Sequence, residues 1–126
     1  MRKLLLLLLL TAGFAAPQDR VYELRTYTCN NLDALKARFR DHTVAIFKRL
    51  GMESIGYWVP QDPERSKNTL IYILAHPSRE AAAKNWAAFN ADPEWQQVRR
   101  ASEAAGLVVQ KVESVFMNPA DFSPLK

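Results

Sequence analysis

The 126 residues carry 17 Lys and Arg against 13 Asp and Glu, a formal charge of +4, with 48% hydrophobic residues and one cysteine. Basic and acidic residues are interspersed and no basic stripe alternates with aromatics, which argues against nucleic-acid binding. One cysteine and two histidines give neither a disulfide nor structural-zinc spacing, so no metal and no cofactor are expected.

Met1-Arg2-Lys3 is a basic start joined to the apolar run Leu4 to Leu10, and Thr11 to Ala16 supplies small residues for cleavage. This pattern predicts a signal peptide over residues 1–15 and a secreted or periplasmic protein. The run is shorter than the roughly 20 apolar residues of a spanning helix, so no stable membrane insertion is expected after cleavage. Removal of Arg2 and Lys3 lowers the charge to +2, so the apparent basicity is largely the targeting signal. What remains, taken as 21–125, is one domain with a core of its own.

Tyr22-Glu23-Leu24-Arg25-Thr26-Tyr27 alternates and reads as a first, central strand. Tyr22, Leu24 and Thr26 are expected under helices, with Glu23, Arg25 and Tyr27 on the second face. Leu32, Leu35, Phe39, Ile46, Phe47 and Leu50 then mark one long amphipathic helix, capped by Asn30 or Asn31 and ended at Gly51. Ser54 to Val59 returns to period two, Pro60 to Asn68 is a solvated turn, and Thr69 to Ala75 is a strand apolar on both sides. Ser78 caps a second helix carrying Trp86 and Phe89, Asp92-Pro93 restarts helical structure, and Leu107 to Met117 is the last strand.

Strand, helix, strand, strand, helix, strand is the ferredoxin-like βαββαβ order, an α+β fold with an antiparallel sheet and helices on one face. The other face, with Ile71 or Tyr72 exposed, calls for a partner, and the simplest is a second copy forming a dimeric α/β barrel.

Several stretches together carry a family resemblance. Tyr22 to Tyr27, Arg38-Phe39-Arg40-Asp41-His42-Thr43 leading to Gly51, Gly56-Tyr57-Trp58, Asn68, Asp92-Pro93-Glu94-Trp95 and Phe122-Ser123-Pro124 resemble the NIPSNAP family from about Tyr22 to Leu125. Asn30-Asn31 stands where many members have Pro-Gly. The resemblance implies a ferredoxin-like, dimeric α/β-barrel fold and imports no catalytic residue. Similar barrels elsewhere include cofactor-independent monooxygenases and isomerases, an analogy of fold alone.

The candidate ligand-lining residues are Glu23, Arg25, Tyr27, His42 and Trp58. In a closed barrel Glu23, Arg25 and Tyr27 would look into the interior, either orienting a polar ligand or pairing with each other. His42, about 60° from the centre of its helical stripe, points into a groove as a general base or bonds to water; no Ser, Cys or Asp stands at triad spacing. His76, before Pro77, reads as a strand-end residue. The reading reached is an exported homodimeric domain that binds a small molecule or a protein. The alternative is a cofactor-independent monooxygenase or isomerase with His42 as base and Arg25 or Tyr27 polarising the substrate.

Overall fold

A computed structural model describes residues 19–126, and the signal-peptide expectation for residues 1–15 lies outside them. The elements are β1 (Val21–Cys29), α1 (Leu32–Arg38), a π-helical segment (Phe39–Thr43), α2 (Val44–Arg49), β2 (Glu53–Trp58), β3 (Thr69–His76), α3 (Arg79–Ala91), α4 (Pro93–Ser102) and β4 (Val109–Met117). The strands form one antiparallel sheet in the order β2-β3-β1-β4, the ferredoxin-like α+β arrangement.

The helix starts are where short polar side chains replace the missing backbone acceptors. Asn31, Ser78 and Asp92 accept from the backbone N–H groups of Ala34, Ala81 and Trp95, and Pro93 needs no such partner at the first helical position. Gly51, at φ 76°, turns the chain out of α2 into β2.

The first helix is not uniform, and its sequence explains why. Leu35, Phe39, Thr43 and Phe47 are all buried at successive steps of four. In an α-helix each such step drifts by about 40°, so the three would carry the stripe about 120° off the sheet. The wider π turn over Phe39–Thr43 absorbs that drift, with the Val44 N–H bonded to the Phe39 carbonyl and the Thr43 hydroxyl donating to the Arg38 carbonyl.

The core lies between the helices and one face of the sheet. Leu70, Tyr72 and Leu74 of β3 meet Leu35, Phe39, Phe47 and Phe89 there. Phe39 packs against Tyr27, Tyr57 and Tyr72 at ring separations of 5.8, 5.7 and 5.2 Å, while Phe89 stacks on Trp95 at 4.5 Å.

The two faces of β1 are the reverse of the sequence expectation. Glu23 and Tyr27 are buried beneath the helices, with Arg25 between them. Tyr22, Leu24 and Thr26 lie on the opposite face, paired in register with Ala75, Ile73 and Ile71 of β3 and with Met117, Val115 and Glu113 of β4. The expectation followed the aliphatic Leu24. The fold followed the aromatic rings and hydrogen-bond partners waiting on the helices.

Candidate functional site

Four elements converge on the Glu23 carboxylate. Its Oε1 accepts from His76 Nε2 of β3 at 3.0 Å and from Trp86 Nε1 of α3 at 2.7 Å. Its Oε2 accepts from Arg25 Nη1 at 2.8 Å and from Ser114 Oγ of β4 at 2.7 Å. Arg25 Nη2 donates to the Tyr27 hydroxyl at 3.3 Å, and the Tyr27 and Tyr72 hydroxyls are bonded to each other at 2.8 Å. The Arg25 guanidinium also lies 4.1 Å from the centre of the Trp86 ring.

This geometry sets the charges. Burial pushes the Glu23 carboxyl up, but hydrogen bonds from His76, Trp86, Ser114 and Arg25 outweigh that and hold its pKa at about 2. Burial opposes the Arg25 charge, yet Tyr27, Tyr72 and Glu23 more than compensate and raise its pKa. Burial pushes the Tyr72 phenol well above its ordinary value. An ionised carboxylate has no proton to give, so His76 Nε2 carries the hydrogen of that contact. His76 Nδ1 and Arg25 Nε are buried without a partner among the described residues.

The cluster is therefore a closed ion pair with aromatic walls. A carboxylate this acidic that already accepts four hydrogen bonds is a weak base, and a buried, protonated phenol is no better. What the arrangement does well is fix β1, β3, β4 and α3 relative to one another. Trp86→Phe removes one donor from the buried carboxylate while keeping most of the ring. We expect a loss of about 1–3 kcal/mol in denaturant unfolding, the cost of leaving a buried charged acceptor under-satisfied.

Of the residues singled out by sequence, Glu23, Arg25 and Tyr27 are brought together, while His42 and Trp58 lie elsewhere. His42 is exposed on the π-helical segment and lines a groove toward α4. Trp58 sits on the open sheet face, 49% exposed, folded back so that a Cβ on Gly56 would stand 2.6 Å from its indole. Sequence reasoning missed His76, Trp86 and Ser114 as partners of Glu23, and Tyr72 as the partner of Tyr27. For His76 the signal was present: the alternation Leu70, Tyr72, Leu74 extends by one more step to place it on the same face.

The open face has its own cavity, of about 410 Å³, lined by Tyr22, Ile55, Ile73, Met117, Phe122 and Leu125. The C-terminal segment forms its wall. That segment is held by the Tyr22 hydroxyl and Arg20 Nε, which donate to the Lys126 carbonyl at 3.1 and 3.0 Å. Phe122 is 88% exposed and Val115 54% exposed beside half-buried Leu24, Ile71 and Ile73.

Among the described residues no helix is long and apolar enough to cross a membrane. The family model NIPSNAP matches residues 22–124. No curated protein matches the sequence. Among solved structures, a NIPSNAP family protein of unknown function from Agrobacterium tumefaciens is 29% identical, with a TM-score of 0.72 over 86% of this chain and 95% of that one. A second NIPSNAP family protein from that bacterium is 24% identical, with a TM-score of 0.72 over 90% and 97%. SnoaB, a cofactor-independent oxygenase from Streptomyces nogalater, is 16% identical with a TM-score of 0.57 over 85% and 99%, a likeness of fold.

Proposed function

The chain belongs to the NIPSNAP family, and from that premise we propose that it is an exported, homodimeric binding domain holding an apolar small molecule between two copies of its open sheet face. The observation that carries this reading is the uncovered face itself. Leu24, Ile55, Ile71, Ile73, Val115 and Met117 present aliphatic and thioether side chains to the outside, next to a cavity of about 410 Å³ with a nonpolar lining. A second copy laid on this face would bury these side chains and enclose the cavity.

On the opposite, helix-covered face Glu23 is held ionised and Tyr72 protonated, states poor at taking up a proton. The oxygenase or isomerase reading draws support from the fold shared with SnoaB and from no local geometry: His42 stands apart from Arg25 and Tyr27.

Native mass spectrometry of protein purified from its source tests the reading. A dimer mass with a retained nonpolar compound is expected; a ligand-free monomer would contradict it. Export rests on the basic start and short apolar run of residues 1–10. N-terminal sequencing of the exported protein should begin near Ala16 or Pro17, and an intact Met1 in the membrane fraction would reject cleavage.

A further inference from the structure

A second groove, of about 610 Å³, runs between the first helix and α4, away from the sheet. Its two walls repeat at helical spacing. One wall is Ala34, Ala37, Arg38, Asp41 and His42; the other, from Glu94 to Ser102, has the same steps of three and four. The walls run antiparallel. Arg49, at the end of α2, reaches Asp92 and Glu94 at the start of α4, while Arg38 reaches Ser102 at its end.

Charge is distributed unevenly along this groove. Arg38 forms part of it with its side chain 5% exposed, and its Nε is buried without a partner. Its Nη1 donates to Ser102 Oγ at 3.2 Å. The nearest carboxylate, Glu103, is 3.7 Å away and is shared with Arg99, so one negative charge serves two guanidinium groups. Burial lowers the Arg38 pKa, the sign of a cation whose lost hydration has not been replaced. The far end has the opposite balance. Glu94 and Asp92 share Arg49, and Asp41, one helical turn on from Arg38 in that direction, is paired with exposed Arg40. Ala37 and Ala101 line the groove beside Arg38 and Ser102, and Val98 and Gln97 lie between there and Glu94.

We infer that this groove binds a small zwitterion, an amino acid whose ammonium lies several bonds from its carboxylate. The carboxylate meets Arg38, the aliphatic chain lies against Val98, and the ammonium points toward Asp41 and Glu94. A buried, under-neutralised guanidinium supplies the anchoring charge, and an incoming carboxylate replaces the hydration it has lost. The acidic end rejects a second negative charge, which selects a zwitterion over a dicarboxylate. Arg38 also lies 5.2 Å from the Trp95 ring, so the anchor is held in place before the ligand arrives. This site goes beyond the dimer reading and does not depend on it, because its walls are helix surfaces on the side of the sheet away from the open face.

The test is isothermal titration of the purified protein with 6-aminohexanoate, hexanoate and hexylamine. The expected order is 6-aminohexanoate tightest, hexanoate weaker and hexylamine undetectable. Arg38→Met keeps the apolar stem against Trp95 and should weaken 6-aminohexanoate by roughly tenfold or more, the factor for one lost charge-assisted hydrogen bond. The double variant Asp41→Asn with Glu94→Gln changes only exposed side chains, so it should fold normally. It should bring 6-aminohexanoate down to the affinity of hexanoate. No heat from 6-aminohexanoate at millimolar concentration, equal binding of hexylamine, or unchanged binding in the folded double variant would each overturn the assignment. Sedimentation of the same samples separates this outcome from the dimer reading, since neither variant alters the open sheet face.

Discussion

Replacing Glu23 with Gln should cost about 3–5 kcal/mol of folding stability, the penalty for leaving a buried charge without its partner. The substitution keeps the shape of the side chain but removes the negative charge from beneath Arg25, whose Nη1 donates to it at 2.8 Å. An amide also presents an NH₂ where the carboxylate accepted from Arg25, Ser114, His76 and Trp86, so donor faces donor at one of its two ends. Against a total stability of about 5–15 kcal/mol this is a large fraction. Thermal unfolding followed by circular dichroism should show the midpoint falling by more than about 10 °C. A midpoint unchanged from that of the unmodified protein would show that the cluster is not what ties β1, β3, β4 and α3 together.

The same carboxylate gives a pH dependence of definite sign. Its pKa is held at about 2 when folded against an ordinary 4.5. A depressed acid stabilises the fold above its unfolded pKa, and that stability drains as pH falls from 4.5 toward 2. The shift is equivalent to roughly 3 kcal/mol. Denaturant unfolding at a series of pH values should show this acid-side decline in the unmodified protein. In Glu23→Gln the component belonging to this carboxylate should be missing.

The order of elements was legible because it rests on local chemistry. Asn31, Ser78 and Asp92 are short polar caps at the places where periodicity changes, and Gly51 is the one residue between helix and strand suited to positive φ. The π-helical segment was not legible as such, although its cause was: the steps of four from Leu35 to Phe47 cannot stay on one face of a regular α-helix. The faces of β1 were misassigned for a physical reason. Sequence patterning ranks Leu24 as more buried than Glu23, but a carboxylate with four donors is at home inside, and the donors on His76, Trp86 and Ser114 come from 53 to 91 residues away. Such long-range hydrogen bonds leave no periodic trace. The groove at Arg38 was hidden likewise, because its second wall is the helix beginning at Pro93. His42, read either as a groove base or as a flank residue bonded to water, is exposed and lines the groove that also contains Arg38 and Glu94.

The reversed faces of β1 favour assembly through the open face. With Glu23, Arg25 and Tyr27 under the helices, the open face is more apolar than sequence reading gave it, carrying Leu24, Ile71, Ile73 and Val115 in neighbouring register positions. Full burial of one such side chain is worth roughly 1.5–3 kcal/mol. Association costs about 4–15 kcal/mol, so the face must be covered broadly and an edge contact would not hold. Ile73→Lys should therefore abolish the proposed dimer, because the new charge would be buried close to its own symmetry mate. Ile73 lies at the centre of the sheet, between Leu24 of β1 and Gly56 of β2, and half-buried, so the core under the helices is left intact. The variant should run as a folded monomer, or aggregate where the remaining apolar surface stays open. Tyr72, one position away, is fully buried among Phe39, Tyr27 and Tyr57, and Tyr72→Lys should unfold the domain instead.

Sedimentation of the unmodified protein at micromolar concentration puts the open face to the most direct test. A dimer that persists on dilution through that range and is lost in Ile73→Lys is expected. A stable, well-folded monomer would contradict that, and would remove the second sheet face from which the proposed apolar site is built.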